Sequence, residues 1–110
     1  MSLEPVFLEY IEKFRKRMAE DEKAREKVRP VVKTVNFDLG EEAYSFRLED
    51  ADIHDFAPRL LEESDITITS KPEHIKALID GDLRPMRAYL TKKISVKGKL
   101  EDLMHLRELF

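Results

Sequence analysis

The sequence predicts a single α+β domain, because the spacing of its apolar residues changes from a helical period to a strand period along the chain. Near the start, apolar side chains recur at intervals of three and four residues, which places them on one face of a helix; these are Phe7, Ile11, Phe14 and Met18. From Val31 onward the period is two, as in a half-buried strand. The 110 residues suffice for one hydrophobic core, so we expect a single domain over residues 1–110.

The first half of the chain predicts a helix followed by a hairpin. The helix should end ahead of Pro30, since proline disfavours helical backbone in the residue before it. Residues 33–39 and 44–48 alternate apolar and polar side chains, and the turn at 40–42 joins them as two antiparallel strands. Residues 49–64 mix acidic and apolar side chains, which is compatible with a short third strand followed by a turn of helix.

The second half begins with a strand and two short helices. Residues 65–69 contain a β-branched run that is typical of a strand. Ser70 and Glu73 have the spacing of a capping box, and Gly81 is a typical left-handed residue at the end of the helix that follows. Asp82 is a suitable N-cap for a second short helix.

The chain closes with a strand at residues 94–97 and a helix from residue 100. The apolar residues of this last helix cover more of its circumference than one packing face requires. They are Leu100, Leu103, Met104, Leu106, Leu109 and Phe110.

Several kinds of chemistry are absent from the sequence. There is no cysteine, no G-x-S-x-G motif and no glycine-rich phosphate loop, since the three glycines are scattered. The histidines at 54, 74 and 105 are too far apart for one helix face to join them as metal ligands. We therefore expect no catalytic residues, no metal site and no cofactor, and interpret the protein as not an enzyme.

Net charge and hydropathy limit the classes of partner that the protein is expected to bind. With a formal net charge of -3 the chain does not favour nucleic acid, and no window approaches the ~20 apolar residues of a membrane span, so we expect a cytoplasmic protein. Basic residues on the first helix are compatible with weak peripheral contact to anionic lipids, although a solvated helix face is the alternative. They are Lys13, Arg15, Lys16 and Arg17.

The ordered series of motifs in residues 65–110 resembles the sterol-binding domain of the sterol carrier protein type-two family. The series runs Asp65-Ile66-Thr67-Ile68-Thr69, Gly81-Asp82-Leu83, Pro85-Met86-Arg87-Ala88-Tyr89-Leu90, Ile94-Ser95-Val96-Lys97-Gly98, and then the apolar helix that ends in Leu109-Phe110. The first half agrees in the order of its elements. Lys92-Lys93 stands where the family usually has Gly-Lys, and residues 49–64 do not match its pattern.

The resemblance implies a fold, a function and a site. It implies a mainly antiparallel sheet of about five strands, covered on one face by helices, with a hydrophobic tunnel between the layers. The tunnel would accept a fatty acid, an acyl chain or a sterol-like lipid without covalent chemistry, and the last helix would close it. The implied ligand-binding residues are Phe37, Phe46, Ile68, Met86, Tyr89, Leu90, Met104, Leu106, Leu109 and Phe110.

Two functions remain open from the sequence. One is a lipid carrier, and the other is an accessory domain whose apolar last helix docks a partner protein or a second copy of the chain. Apolar periodicity does not separate a filled core from a lined cavity. An empty cavity of ~400 Å³ would cost on the order of 10 kcal/mol, which is close to the whole stability of a typical domain. A carrier of this size is therefore expected to hold a lipid or to close its tunnel with the last helix.

Overall fold

The computed structural model describes residues 2–110, apart from the side chains of Leu100, Leu103 and Leu106. Within this range the chain forms five helices and five strands. The helices are α1 (Glu4–Glu20), α2 (Glu22–Val28), α3 (Pro72–Asp80), α4 (Pro85–Leu90) and α5 (Leu100–Leu109). The strands are β1 (Lys33–Asp38), β2 (Ala43–Glu49), β3 (Asp52–Ala57), β4 (Ile66–Ser70) and β5 (Ile94–Lys97).

The five strands form one mixed sheet in the order β3-β2-β1-β4-β5. Three of the neighbouring pairs are antiparallel, and β1 and β4 at the centre are parallel. In the register of the central strands, Phe37 lies between Tyr44 and Ile68. The prediction of an α+β fold with a mainly antiparallel sheet of about five strands is confirmed.

Helix α1 packs on the sheet with the apolar face that the sequence predicts. Phe7, Ile11, Phe14 and Met18 are all buried. The Phe7 ring centroid lies 5.0 Å from that of Phe37 in β1 and 4.7 Å from that of Tyr44 in β2. These aromatic contacts join the helical layer to the centre of the sheet.

The helical segment ends ahead of Pro30 as predicted, at Val28, but it consists of two helices with a break at Asp21 and not of one. Asp21 adopts extended backbone (φ -114°, ψ 97°), and its side chain accepts a hydrogen bond from the amide of Ala24 at 3.1 Å. Asp21 thus ends α1 and caps α2. Starting a new helix here lets Ala24 and Val28 turn towards the core, where both are buried.

The predicted N-caps of the two short helices are also wrong. Helix α3 has Lys71 as its N-cap with no side-chain cap bond, and the Ser70 hydroxyl instead donates to the carbonyl of Lys93 at 3.0 Å. Helix α4 begins after Arg84 rather than after Asp82. Both helices start with proline, whose fixed φ already suits the first helical position. Gly81 ends α3 in the left-handed conformation (φ 83°), as predicted.

Residues 49–64 include the expected third strand but not the expected turn of helix. β3 follows β2 through a tight turn at Asp50 and Ala51, which both have positive φ angles (53° and 54°). Residues 58–65 contain no helix. They lead from β3 back to β4, which lies along the edge of β1 opposite β2. The Asn36 side chain fixes this segment there by accepting from the amide of Leu61 at 2.8 Å and donating to its carbonyl at 3.0 Å.

Candidate functional site

The candidate ligand-binding residues on the strands lie on the helix-facing side of the sheet. Phe37, Phe46 and Ile68 are at most 1% exposed, so no space large enough for water adjoins them. The Phe37 ring centroid lies 5.5 Å from that of Phe46 and 6.4 Å from that of Phe110. In this conformation, aromatic side chains fill the centre of the domain.

The candidate residues on α4 and α5 are divided between the surface and the interior. Tyr89 is 38% exposed, Leu90 is 73% exposed and Met104 is 55% exposed, whereas Met86 is half-buried. The reason on α4 is that the small Ala88 is the residue that faces the core, which turns Leu90 to the opposite side of the helix. The side chain of Leu106 lies outside the described residues.

The end of α5 is buried against α1. Leu109 is buried, and the Phe110 ring stacks on Tyr10 with centroids 5.4 Å apart. The Tyr10 hydroxyl donates a hydrogen bond to the carbonyl of Leu109 at 2.7 Å. Burial raises the pKa of Tyr10 well above its usual range, although the charge of Arg17 acts in the opposite direction, so the hydroxyl keeps its proton.

A second side chain of α1 holds the same helix end. The Arg17 guanidinium donates from Nη1 to the carbonyl of Glu108 at 2.8 Å. Carbonyl groups in the last turn of a helix have no partner within the helix, and Tyr10 and Arg17 supply two of the missing donors. Tyr10 was not among the predicted site residues, although it lies three residues after Phe7 on the apolar face of α1, where a hydroxyl needs a partner.

An open cavity of about 440 Å³ lies between the start of α4 and the end of α5. Leu83, Met86 and Phe110 give it an apolar lining, and Arg84 and Arg107 bring two guanidinium groups to it. Apolar surface beside fixed positive charge suits an amphiphile with an anionic head, since guanidinium pairs well with carboxylate and phosphate oxygens. Met86 and Phe110 are predicted site residues, whereas Leu83 and both arginines were missed because they carry no distinctive spacing.

The start of α5 is tied to β1 by a buried ion pair. The carboxylate of Asp102 is almost fully buried, with Oδ1 3.3 Å from Nζ of Lys33 and Oδ2 accepting from the amide of Lys99 at 2.8 Å. The hydrogen bond to Asp102 raises the pKa of Lys33 above its ordinary 10.5. The last helix is therefore anchored to the sheet at one end and to α1 at the other.

The part of the chain that the structure describes shows neither a metal site nor a membrane-spanning helix. Over these residues no group of three or more His, Asp or Glu side chains could hold a metal ion. His54 and His74 each contact a backbone carbonyl, of Glu49 and Lys93 respectively. Among the described helices, none is long and apolar enough to cross a membrane.

Solved structures with the same fold include a palmitated protein and part of an enzyme. Palmitated SCP2L2 from Aedes aegypti is 22% identical with a TM-score of 0.66, over 99% of this chain and 94% of that one. A conserved hypothetical protein from Thermus thermophilus is 15% identical with a TM-score of 0.65, over 91% and 80% of the two chains. The sec-alkylsulfatase Pisa1 from a Pseudomonas species is 13% identical with a TM-score of 0.64, over 78% of this chain.

This chain spans only 14% of the length of the sulfatase, so it corresponds to a small part of that enzyme. No curated protein is a significant match to the sequence. The sequence model of the SCP-2 sterol transfer family matches residues 11–110, which include all five strands and the last helix. The chain therefore belongs to the SCP-2 sterol transfer family.

Proposed function

We propose that the protein binds and carries a single-chain lipid, such as a fatty acid, and does not change it chemically. The observation that carries this proposal is the cavity of about 440 Å³ between α4 and α5. Its volume lies in the usual range for small-ligand sites, roughly 300–1,000 Å³. Its apolar lining suits an acyl chain, and Arg84 and Arg107 suit a carboxylate head.

The cavity alone does not enclose a long chain, so the lipid must take space from the filled interior. Phe110 lines the cavity and also contacts Phe37 at the centre of the domain. We infer that the acyl chain enters by displacing Phe110 and the end of α5. Phe37, Phe46 and Ile68 then become walls of the extended site, while Met86 adapts to chains of different shape through its flexible thioether.

The last helix is the part of the domain best suited to this movement. Its final turn is held by the hydrogen bonds from Tyr10 and Arg17 and by the Tyr10–Phe110 stack, and each is a contact that can be exchanged for contacts with a lipid. The five strands of the sheet beneath it are joined by backbone pairing, and the sheet stays in place. A family member whose structure is described as palmitated makes palmitate a suitable first ligand.

Replacing Tyr10 with phenylalanine tests both the site and its closure. The Tyr10→Phe variant removes the hydrogen bond to Leu109 without creating a large void, which should weaken the closed state by about 1 kcal/mol or somewhat more. Because apparent affinity rises with the fraction of open molecules, delipidated Tyr10→Phe should bind a fluorescent fatty acid about five- to tenfold more tightly than the wild type. Fluorescence titration at equilibrium measures the difference.

The matched control is Tyr44→Phe. Its hydroxyl donates to Glu42 just before β2 and not to α5, so its loss should leave fatty-acid affinity unchanged. Equal affinities of wild type and Tyr10→Phe would contradict the closing role of α5. Absence of saturable binding in every variant, with no lipid co-purifying by mass spectrometry, would contradict the carrier itself.

A second candidate function is an accessory domain, and the sulfatase favours it. That enzyme contains a unit of this fold within a much longer chain, so the fold also occurs attached to catalytic domains. An accessory domain that docks through α5 would use exposed apolar residues such as Met104. Size-exclusion chromatography with light scattering separates the candidates, because a carrier is expected to be a monomer and a self-docking α5 would give a dimer that Met104→Gln dissociates.

A further inference from the structure

Positive charge is concentrated in one short part of this acidic chain. Residues 84–99 contain six lysines and arginines and no aspartate or glutamate, whereas the whole chain has a formal net charge of -3. This segment comprises α4, the connection after it and β5. Such a local excess creates a positive field around this segment, in a chain whose other residues together include more acidic than basic side chains.

The basic side chains around α4 have no carboxylate partner among the residues that the structure describes. Within the described part of the chain, Arg84, Arg87, Lys92 and Lys93 form no ion pair. Three of the four basic residues on α1 are paired, by contrast, with distances of 3.2 Å for Lys13–Glu9, 2.9 Å for Arg15–Asp52 and 3.9 Å for Arg17–Glu108. The basic side chains around α4 are therefore available to an external anion. The positive charge of α1 is largely neutralised by its acidic partners.

Apolar side chains project from the same helix. Leu90 is 73% exposed and Tyr89 is 38% exposed, because Ala88 occupies the side of α4 that faces the core. Arg87 lies three residues before Leu90 and so shares its outer side. The chain then folds back over the end of α4, with the amide of Lys93 donating to the carbonyl of Ala88 at 2.9 Å. We call Arg87, Tyr89, Leu90, Lys92 and Lys93 the α4 surface.

We propose that the α4 surface docks on a bilayer that contains anionic lipids. Lysine and arginine side chains close to such a bilayer are attracted by its negative surface potential. An exposed leucine gains by entering the acyl region, and a tyrosine suits the boundary between headgroups and chains. Two apolar side chains surrounded by unpaired cations match a negative, laterally fluid surface better than the larger apolar core of a specific protein interface.

Docking in this way turns the candidate lipid site towards the bilayer. Met86 lies one helical turn before Leu90 and lines the cavity between α4 and α5, so the cavity opens beside the α4 surface. Arg84 and Arg107 at this cavity extend the positive field to its opening. The docking surface does not depend on what the cavity holds, so it goes beyond the proposed function and is tested without a bound ligand.

The experiment is vesicle flotation with delipidated protein. Wild type should float with vesicles of phosphatidylcholine and phosphatidylserine, remain behind with phosphatidylcholine alone, and dissociate from the anionic vesicles when salt is raised. Each charge near an anionic surface is worth about fivefold in partitioning, so Arg87→Gln/Lys93→Gln should weaken binding at least tenfold. Leu90→Gln should weaken binding without changing its dependence on salt. Lys92 is left unchanged because its backbone φ is positive (61°).

The matched controls lie on α1 and change charge and hydropathy equally. Lys13→Gln/Lys16→Gln removes two charges and Leu8→Gln removes a leucine that is 50% exposed, and both should bind as wild type. Circular dichroism and thermal melting verify that every variant folds. Equal binding to neutral and anionic vesicles, or equal loss in the α1 variants, would overturn the proposal. So would a wild-type dimer that Leu90→Gln dissociates, because it would assign the α4 surface to contact between copies.

Discussion

Gly98 occupies a position where a side chain would collide with its neighbours. A Cβ atom there would lie 2.9 Å from Oδ2 of Asp102 and 3.1 Å from the carbonyl oxygen of Asp65. The glycine thus allows the chain to pass close to the buried carboxylate, which accepts a hydrogen bond from the next amide, that of Lys99. The glycine directly after β5 therefore has a steric cause in this protein.

Replacing Gly98 with alanine should therefore destabilise the domain. The overpacking is expected to cost roughly 1–3 kcal/mol, since one of the two close atoms belongs to backbone that does not yield cheaply. Urea denaturation followed by circular dichroism measures the change in the free energy of unfolding. A loss below ~0.5 kcal/mol would show that the backbone around Gly98 relaxes freely.

A double-mutant cycle identifies the atom responsible. Asp102→Ala removes the nearer of the two contacts, so Gly98→Ala should cost less in that background than in the wild type. The expected coupling is on the order of 1 kcal/mol, as for residues in direct contact. Strict additivity of the two substitutions would assign the strain to Asp65 alone.

Single residues were predictable from the sequence where apolar spacing determines them. Phe7, Phe14 and Phe37 are buried as expected, because one helical or strand period fixes which side of an element meets the core. Tyr10 was missed because its role depends on the carbonyl of Leu109, ninety-nine residues away in sequence. Leu90 was expected among the ligand-binding residues of the interior, whereas the smaller Ala88 is the residue of α4 that faces the core.

At the scale of the element, α5 is held at its start by charge. Lys33 of β1 and Asp102 of α5 form the pair, and the neighbouring Glu101, Asp65 and His105 also face it. The Lys33 pKa is raised in the folded protein, first by its hydrogen bond to Asp102. The ion pair consequently contributes stability below pH 10.5, and that contribution is lost as the pH rises through and above this value.

Alkaline titration should therefore weaken the wild type more than a Lys33→Arg variant. Once Lys33 loses its proton, the buried Asp102 carboxylate has no cationic partner, whereas arginine stays charged throughout this range. Melting temperatures of the two proteins should run in parallel at neutral pH and diverge above pH 10.5, with the wild type lower. Parallel curves across the whole range would show that the pair contributes nothing to α5.

Helix ends were less predictable than helix faces, for a physical reason. Ser70 has the right spacing for a capping box, yet its hydroxyl bonds to the carbonyl of Lys93 because the loop after α4 passes within reach. Asp21 was not expected to cap a helix, since the break there is justified only by the burial of Ala24 and Val28 in the tertiary structure. A side chain that could cap a helix hydrogen-bonds to whichever backbone group the tertiary structure brings within reach.

For the whole molecule, the sequence indicated the layers but not the order of the strands. Period-two patterns identify strands without saying which neighbours they pair with, so the parallel contact between β1 and β4 was not foreseen. That contact brings Phe37 next to Ile68 under the helices, at the centre of the proposed lipid site. Residues from the two ends of the chain meet there, since α1 and α5 both cover this part of the sheet.

A domain that closes its own binding site should become more stable when a ligand replaces the closing residues. Binding to the folded state alone adds ~2.7 kcal/mol at a hundredfold excess over Kd. For a chain of this size that corresponds to a rise in melting temperature of roughly 10–20 °C. Palmitate at saturation should produce this rise in delipidated protein by differential scanning calorimetry, and acetate at equal concentration should not, because it lacks the apolar chain. An unchanged melting temperature with palmitate would mean that the displaced Phe110 contacts are worth more than the lipid supplies, and the carrier proposal would then fail.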